Sequence, residues 1–480
     1  MAKPIMFPGY HPGKNYCEIF ARGKSTNAPN ALADRLSKYK VRTLNQRNAA
    51  AERELHNLGI TFTVYSDAGA IDRILPFDPV PRQITQKDWK IIDSGCRQRV
   101  AALNAFLTDV YGSQKILKDG VIPRELVLGN KHFRKEMMGV KLVHNTYTHI
   151  SGVDLIRDES GEFLVLEDNC RSPSGVSYVI ENRHLMMRSF PDLMEGMKIM
   201  PVSDYGKRLR GMLMECAPPR IQNPHIALLT PGVFNSAYFE HVFLAREMGV
   251  QLVEGRDLIV DDQDRVFMKT ITGLERIHMV YRRIDDDFLD PEVFNKDSML
   301  GVPGLMRALK AGKVSIANAV GAGVADDKAV YAYMPRIIDY YLGEDAILNN
   351  VETYICREED DLAYVLEHLE ELVVKPVGES GGYGIVVGPK ATKAELAAIR
   401  RALKKNPENY IAQPMVNLSV SPTLTGQGLK PRHVDLRPFV LTGKESWVLP
   451  GGLTRVAMRE GSIIVNSSQG GGSKDTWVMK

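Results

Sequence analysis

Apolar positions recur along this chain with two periods, and the switches between them mark out its elements. In "NALADRLSKYKVRTLNQRNAAAERELHNLG" the spacing is three and four residues up to Gly59, which predicts a helix, and "ITFTVYS" then turns to strand alternation. "TQKDWKIIDSGCRQRVAALNAFLTDVYG" predicts a long amphipathic helix capped by Thr85. Next, "VDLI" and "FLVL" read as two short strands, and the Asp, Glu, Ser and Gly between them supply the turn chemistry of an antiparallel hairpin. A helix, "VSYVIENRHLMMRSF", follows. From residue 224 the pattern changes: strand "HIALLT", helix "SAYFEHVFLAREMG" closed by Gly249, and strand "VQLVEG" predict a βαβ unit, to which "MVYRRI" adds a strand. Beyond 326 come a helix over "DDKAVYAYMPRIIDYYLG", two β-rich runs in "VVKPVGESGGYGIVVG", and the strands "NYIAQPMV" and "HVDLRPFVL". The fold class expected is α+β with an α/β region, and residues 1 to about 30, rich in Pro, Gly and Asn, are expected to wrap the surface.

Composition narrows the function classes. The 480 residues are 44% hydrophobic and 25% charged, which is ordinary globular composition with room for two to four domains. Basic and acidic residues, 61 and 58, are mixed along the chain to a net charge of +3, so no single-sign face points to nucleic acid or membrane. Five scattered cysteines form no CxxC pair, which argues against a zinc site or a disulfide framework. There is no apolar run near ~18 residues and no apolar signal core at the N-terminus. A cytoplasmic location is expected.

The chemistry concentrates in a few places. Asp154 lies near the start of the first hairpin strand, and Glu167, Asp168 and Asn169 end the second. Residues 167 and 169 share a strand face while 168 points away, so the hairpin gathers Asp154, Glu167 and Asn169 into an oxygen-only set suited to a hard cation such as Mg²⁺. Lys375 precedes the glycine loop rather than following it, which excludes a P-loop; a lid over phosphates, with the lysine as point charge, fits better, although a surface hairpin explains the same residues. Gln413 lies in a segment able to link two lobes and read an adenine edge. Arg437, Arg455 and Arg459 are expected in strands beside glycines, where guanidinium groups suit bidentate phosphate or carboxylate recognition. Cys170 is expected to pack rather than react.

Taken together, the Asp…Glu-x-Asn hairpin, the lysine before a glycine lid and the late arginines resemble the ATP-grasp superfamily. The hairpin here precedes the lysine, and that inverted order is similar to the circularly permuted ATP-grasp proteins, the glutathionylspermidine synthases and related carboxylate–amine ligases. Segments such as "TFTVYSDAGAIDRILPFDPVPR", "LEDNCRSPSGVSYVIENR" and "LPGGLTRVAMREGSIIVNSSQGGGSKDTWV" carry the likeness along nearly the whole chain. The resemblance implies a permuted ATP-grasp fold with a pre-ATP-grasp-like βαβ substrate domain, divided as 1–55 (wrapping segment and helix), 56–215 (the half with the metal hairpin), 216–322 (substrate domain) and 323–480 (the half with lysines, lid and hinge). It implies ATP and Mg²⁺ as cofactors, Asp154, Glu167 and Asn169 as metal ligands, Lys328 and Lys375 as ATP lysines, Gly381, Gly382 and Gly384 as the lid, Gln413 in the adenine hinge, and Arg459 near the transferring phosphate with Arg455 as a close rival and Arg437 beside them. The synthases carry an arginine where this chain has Gly152, and Arg171 is the expected substitute. Arg171, Ser174, Asn235, Ser236, Tyr238, Glu240, Arg282 and Arg283 are candidate contacts to the acid or amine, with helix capping by Asn235 or Ser236 as the alternative. The activity implied is ATP-dependent amide-bond formation through an acyl phosphate, releasing ADP and phosphate, from a small-molecule or peptide carboxylate and an amine. A phosphotransferase on the same scaffold and a nucleotide-binding partner protein without turnover are the rivals. No counterpart of the synthases' companion amidase domain is expected, and synthesis without built-in hydrolysis is the implied role.

Overall fold

The apolar alternation of residues 150–169 is realised as two strands, Ile150–Arg157 and Phe163–Asn169, paired antiparallel with Asp154 opposite Glu167 and Gly152 opposite Asn169. The computed structural model describes residues 10–19, 31–66, 69–377, 384–462, 465 and 470–480. Among these the hairpin is the middle of a nine-stranded sheet. Its path runs Ser446–Val448, Phe439–Thr442, Ile150–Arg157, Gly428–Arg437, Leu453–Val456, Gly472–Val478, Phe77–Ile84, with Phe163–Asn169 and Val420–Thr425 paired alongside. Strands near residue 150 and strands beyond 420 thus share one sheet.

Two of the smaller sheets are four-stranded. Ser315–Ala317, Met279–Arg282, Ile226–Leu229 and Gln251–Val253 are parallel in that order, with helix Tyr238–Met248 crossing between the last two and closed by Gly249 at φ +63°. Tyr354–Ile355, Tyr410–Pro414, Leu372–Pro376 and Val386–Val387 form an antiparallel sheet holding Lys375 and Gln413. The long helix Gln86–Val110 begins at Thr85, whose side chain accepts the Asp88 amide, and buries Ile92, Cys96, Val100 and Leu103 against the central sheet and its neighbours.

Two predicted helices are broken. The first divides into Ala31–Leu36 and Val41–Asn57. The second divides at Tyr333 into Lys328–Ala332 and Met334–Leu342, because Pro335 has no amide to donate and fits only a first turn. In the N-terminal stretch, Tyr10 and Cys17 are buried rather than laid on the surface. Residues 1–9 and 20–30 lie outside the described residues.

Candidate functional site

The hairpin's two faces carry different chemistry, and strand alternation decides which side chain goes where. On one face Asp168 is bound bidentately by Arg99 of the long helix, Nε and Nη2 each 2.7 Å from a carboxylate oxygen. Arg99 also donates to Asn350 Oδ1 at 2.8 Å, and Tyr331, from the short helix Lys328–Ala332, donates to Val165 O at 2.6 Å. These bonds fix that helix against the hairpin. Lys328, at its first position, is thereby held where its charge acts on both Glu167 and Lys375.

On the opposite face, Asp154 is buried and accepts from three guanidinium nitrogens: Arg437 Nε, Arg437 Nη2 at 2.7 Å and Arg455 Nη2 at 2.6 Å. Arg455 is shared with buried Asp435, its cross-strand partner. Burial opposes the charge on Asp154, but Arg437 and Arg455 overcome it and hold the carboxyl well below the usual range. Glu167 is looser, with Oε1 3.9 Å from Arg437 Nη2 and a side chain 36% exposed. Burial, and then the neighbouring charge of Asp154, push its carboxyl above the usual range against the pull of Arg437, Lys328 and Arg455. Asn169 Nδ2 donates to Asp154 Oδ1 at 3.3 Å and to Gly152 O at 3.4 Å.

Lys375 reaches the same place from the antiparallel sheet. Its ammonium donates to Gln413 Oε1, and Gln413 Nε2 donates to Thr353 Oγ1 at 2.9 Å, so the glutamine side chain is a brace for the lysine. Burial pushes Lys375 down to about 8, with Glu167 drawing it up and Lys328 pressing it down. The two lysines and the carboxylate end of the hairpin therefore share one field. Gly384, at φ +72°, stands against Pro376 at the foot of the glycine loop; Gly381 and Gly382 lie outside the described residues.

These residues suit a hard cation that brings its own phosphates. Glu167 and Asn169 offer oxygens on one face, and the repulsion between Glu167 and Asp154 is what a dication would relieve. Among the described residues no group of three or more His, Cys, Asp or Glu could hold a metal unaided. Mg²⁺ is ordinarily held by one or two carboxylates plus substrate phosphates and water. Asp154, already engaged by two arginines, fits this role less well than Glu167.

Several other expected residues are committed elsewhere. Arg171 is paired with Asp326, Nε to Oδ2 at 2.5 Å, and Asp326 also accepts the Arg171 amide. Ser174 Oγ accepts from Arg283 Nη2 at 2.6 Å. Glu240 is buried and accepts from Gly175 N, Ser177 N and Ser177 Oγ at 2.7, 3.1 and 2.9 Å, so it caps helix Val176–Ser189 from outside. Arg282 is buried and spends its guanidinium on the carbonyls of Asn318, Ile284 and Ala319 and on Asp286. Asn235 accepts the Ala237 amide at 2.9 Å just before helix Tyr238–Met248, with Ser236 and Tyr238 half-buried beside it, and neither Asn235 nor Ser236 caps the helix. Arg459 lies at an exposed bend past the end of its strand rather than within it. Cys170 is buried, and burial raises its thiol pKa. Sequence reasoning passed over Asp435 and Asp326. The signal for Asp435 was there: in "HVDLRPF" it shares a face with Arg437, two positions on.

Comparison with known proteins gives a consistent picture. Residues 81–457 match the family described as circularly permuted ATP-grasp type 2. The chain is 51% identical over 478 residues to an uncharacterized protein of Synechocystis, covering 99% of both chains. It is 42% identical over 481 residues to a Frankia alni protein provisionally named glutamate–cysteine ligase 2-3, but spans 55% of that longer chain. Among solved structures, a glutathione synthetase-like effector from Globodera pallida in its apo form shares the fold, with TM-score 0.60 at 11% identity, over 92% of this chain and 98% of that one.

Proposed function

The chain belongs to the circularly permuted type 2 ATP-grasp family, and from that premise we propose that it is an ATP-dependent carboxylate–amine ligase working through an acyl phosphate. The observation that supports the reading is that Lys328 and Lys375, from the late half of the chain, act electrostatically on Glu167, from the early half, whose strand also carries Asn169. Opposed lysines and oxygen donors are what a metal-loaded triphosphate requires.

In the proposed reaction a substrate carboxylate oxygen attacks the γ-phosphorus. The bond to the β,γ-bridging oxygen breaks, and ADP leaves. The amine nitrogen then attacks the acyl carbon, the bond to the phosphate oxygen breaks, and the amine proton is released. Phosphoryl transfer of this kind needs positioning and charge more than covalent help, and no protein nucleophile is invoked. Lys328 and Lys375 hold the phosphates, Arg437 and Arg455 face the transferring group, and Arg459 is proposed as a further cation for it. Gln413 holds Lys375, and the backbone beside it is proposed to meet the adenine. Mg²⁺, held by Glu167 and Asn169 beside Asp154, would neutralise phosphate charge and align the oxygens. Arg171, Ser174, Asn235, Ser236, Tyr238, Glu240 and Arg282 remain the proposed surroundings of the acid and amine; for Arg171, Ser174, Glu240 and Arg282 that role is shaping the walls, since their polar groups are bound to protein.

The Frankia name supports a small carboxylate and a small amine as the substrate class, although that protein is much longer. No helix among the described residues is long and apolar enough to cross a membrane. The test is ADP release from MgATP against a panel of acids and amines, with mass analysis of the product. ADP and phosphate appearing only when both partners are present, with a coupled amide, is expected; a stable phosphorylated product would instead make the chain a phosphotransferase. An Asn169→Ala variant unchanged in every assay, together with no Mg²⁺-dependent ATP binding, would favour a partner protein without turnover.

A further inference from the structure

The two residues that follow the hairpin's second strand are gripped from both sides. Asn318 Nδ2 donates to Cys170 O at 2.8 Å and to Arg171 O at 3.1 Å, while the amides of Cys170 and Arg171 both donate to Asp326 Oδ1. The Arg171 side chain closes the same contact, with Nε 2.5 Å from Asp326 Oδ2. Its stem runs over Gly323, where a Cβ would lie 3.0 Å from Arg171 Cδ and 2.9 Å from His132 Cβ, so a side chain at 323 would hold the segments apart. Asp326 thus commits both carboxylate oxygens to one dipeptide. That dipeptide has no slack, because Asn318 is itself buried and accepts the Ile150 amide of the first hairpin strand at 2.8 Å.

Asp326 stands two residues before Lys328, and Arg171 two residues after Asn169. Two residues span at most ~7 Å of chain, so the contact is a short tether between the oxygen-bearing end of the hairpin and the lysine. Asp327, next in the chain, starts the lysine's helix: its carboxylate accepts from the Ala329 amide and from Asn130 Nδ2, each at 2.8 Å. Towards the other end of that helix, Tyr331 is bound to Val165 O. One fastening leaves a short helix able to pivot, and a second fixes the direction in which its first residue is presented. Asp326 is the fastening on the lysine's side. With 12% of its side chain exposed and both oxygens occupied, it acts by placing other groups.

We propose that Asp326 is a positioning residue for Lys328: by pinning the end of the hairpin to the turn before the lysine, it sets the separation between the Glu167–Asn169 edge and the Lys328 ammonium across which the triphosphate is held. This rests on the nucleotide site of the ligase reading above, and adds to it a residue that touches neither metal nor phosphate.

A double-variant cycle tests it, read by calorimetric titration of the full chain, in Mg²⁺, with the β,γ-imido analogue of ATP. Lys328→Met should lose about tenfold in affinity, the size of one charge-assisted contact. Asp326→Asn, which cannot pair with Arg171, should lose about fivefold, and the double variant should stay within about twofold of Lys328→Met alone, because a lysine that is absent cannot be misplaced. Should Asp326→Asn fail to unfold cooperatively, Arg171→Met releases the same contact from its more exposed side and should show the same non-additivity, with Arg171→Lys recovering part of the loss. A melting midpoint lowered by Asp326→Asn with affinity unchanged, or losses at 326 and 328 that multiply in the double variant, would overturn the positioning role while leaving the nucleotide site intact. A wild-type chain that binds no triphosphate, or a Lys328→Met variant that binds it as tightly as wild type, would overturn the site reading as well.

Discussion

Asp168 and Glu167 are adjacent carboxylates on one strand, and the structure treats them in opposite ways. Asp168 is sealed, its side chain 1% exposed and its charge cancelled bidentately by an equally buried Arg99. Glu167 is 36% exposed, 3.9 Å from Arg437 Nη2, and pressed by burial and a like charge. The first arrangement completes a structure. The second leaves a charge deficit for something to fill, and the side on which it lies is the side Lys328 and Lys375 approach. One step along a strand separates an architectural ion pair from a site of chemistry.

This contrast is broken most forcefully by removing Asp168. Asp168→Ala leaves Arg99 buried without its counter-charge, which should cost about 3–5 kcal/mol in chemical denaturation, while the folded fraction keeps nucleotide affinity within a few-fold. An Arg99→Met/Asp168→Leu double variant should regain much of that stability, because an apolar pair of similar volume is often a neutral replacement. Glu167→Gln should do the reverse: ADP release falls by about 100-fold, the scale of losing one preorganised electrostatic contact, with the melting midpoint unchanged or raised because a charge opposing Asp154 is gone. If Glu167→Gln destabilised the chain and Asp168→Ala abolished binding, the assignment of the two faces would be inverted.

A smaller effect sharpens the same comparison from the lysine side. Lys375, pushed down to about 8 by burial, is charged below that pH and neutral above it. Triphosphate affinity in calorimetry should therefore fall as pH rises through about 8, by up to about tenfold per unit, and Lys375→Arg should flatten the dependence because guanidinium stays charged. For folding the sign is opposite. The unfolded chain keeps this proton up to the ordinary 10.5 and the folded chain releases it near 8, so this group's contribution to stability rises with pH across that interval.

The hairpin was legible because both of its signals are local. A two-residue period with turn residues between fixed the strands and put 167 and 169 on one face, and Thr85 and Gly249 act as their residue types predict. Apolar spacing through 326–343 predicts one continuous helix, and Pro335, a breaker in plain view, divides it. What the sequence could not disclose is register between distant strands. Nothing local to Gly152 says that Arg437 lies over it, or that Arg99 finds Asp168, since those meetings depend on which strands and helices become neighbours. For the same reason the sequence does not show that Arg171, Glu240 and Arg282 are each bound to protein: a polar side chain near a predicted site looks alike in sequence whether or not it has a partner.

In the proposed reaction the hairpin oxygens and the two lysines close on the same triphosphate. A crystal structure of the chain with Mg²⁺ and the β,γ-imido analogue of ATP tests it directly. The account predicts phosphates between Lys328 and Lys375 on one side and Glu167 and Asn169 on the other, with metal density within bonding distance of the Glu167 carboxylate. Nucleotide bound elsewhere, or bound here with the Glu167 carboxylate turned away from both metal and phosphate, would contradict it.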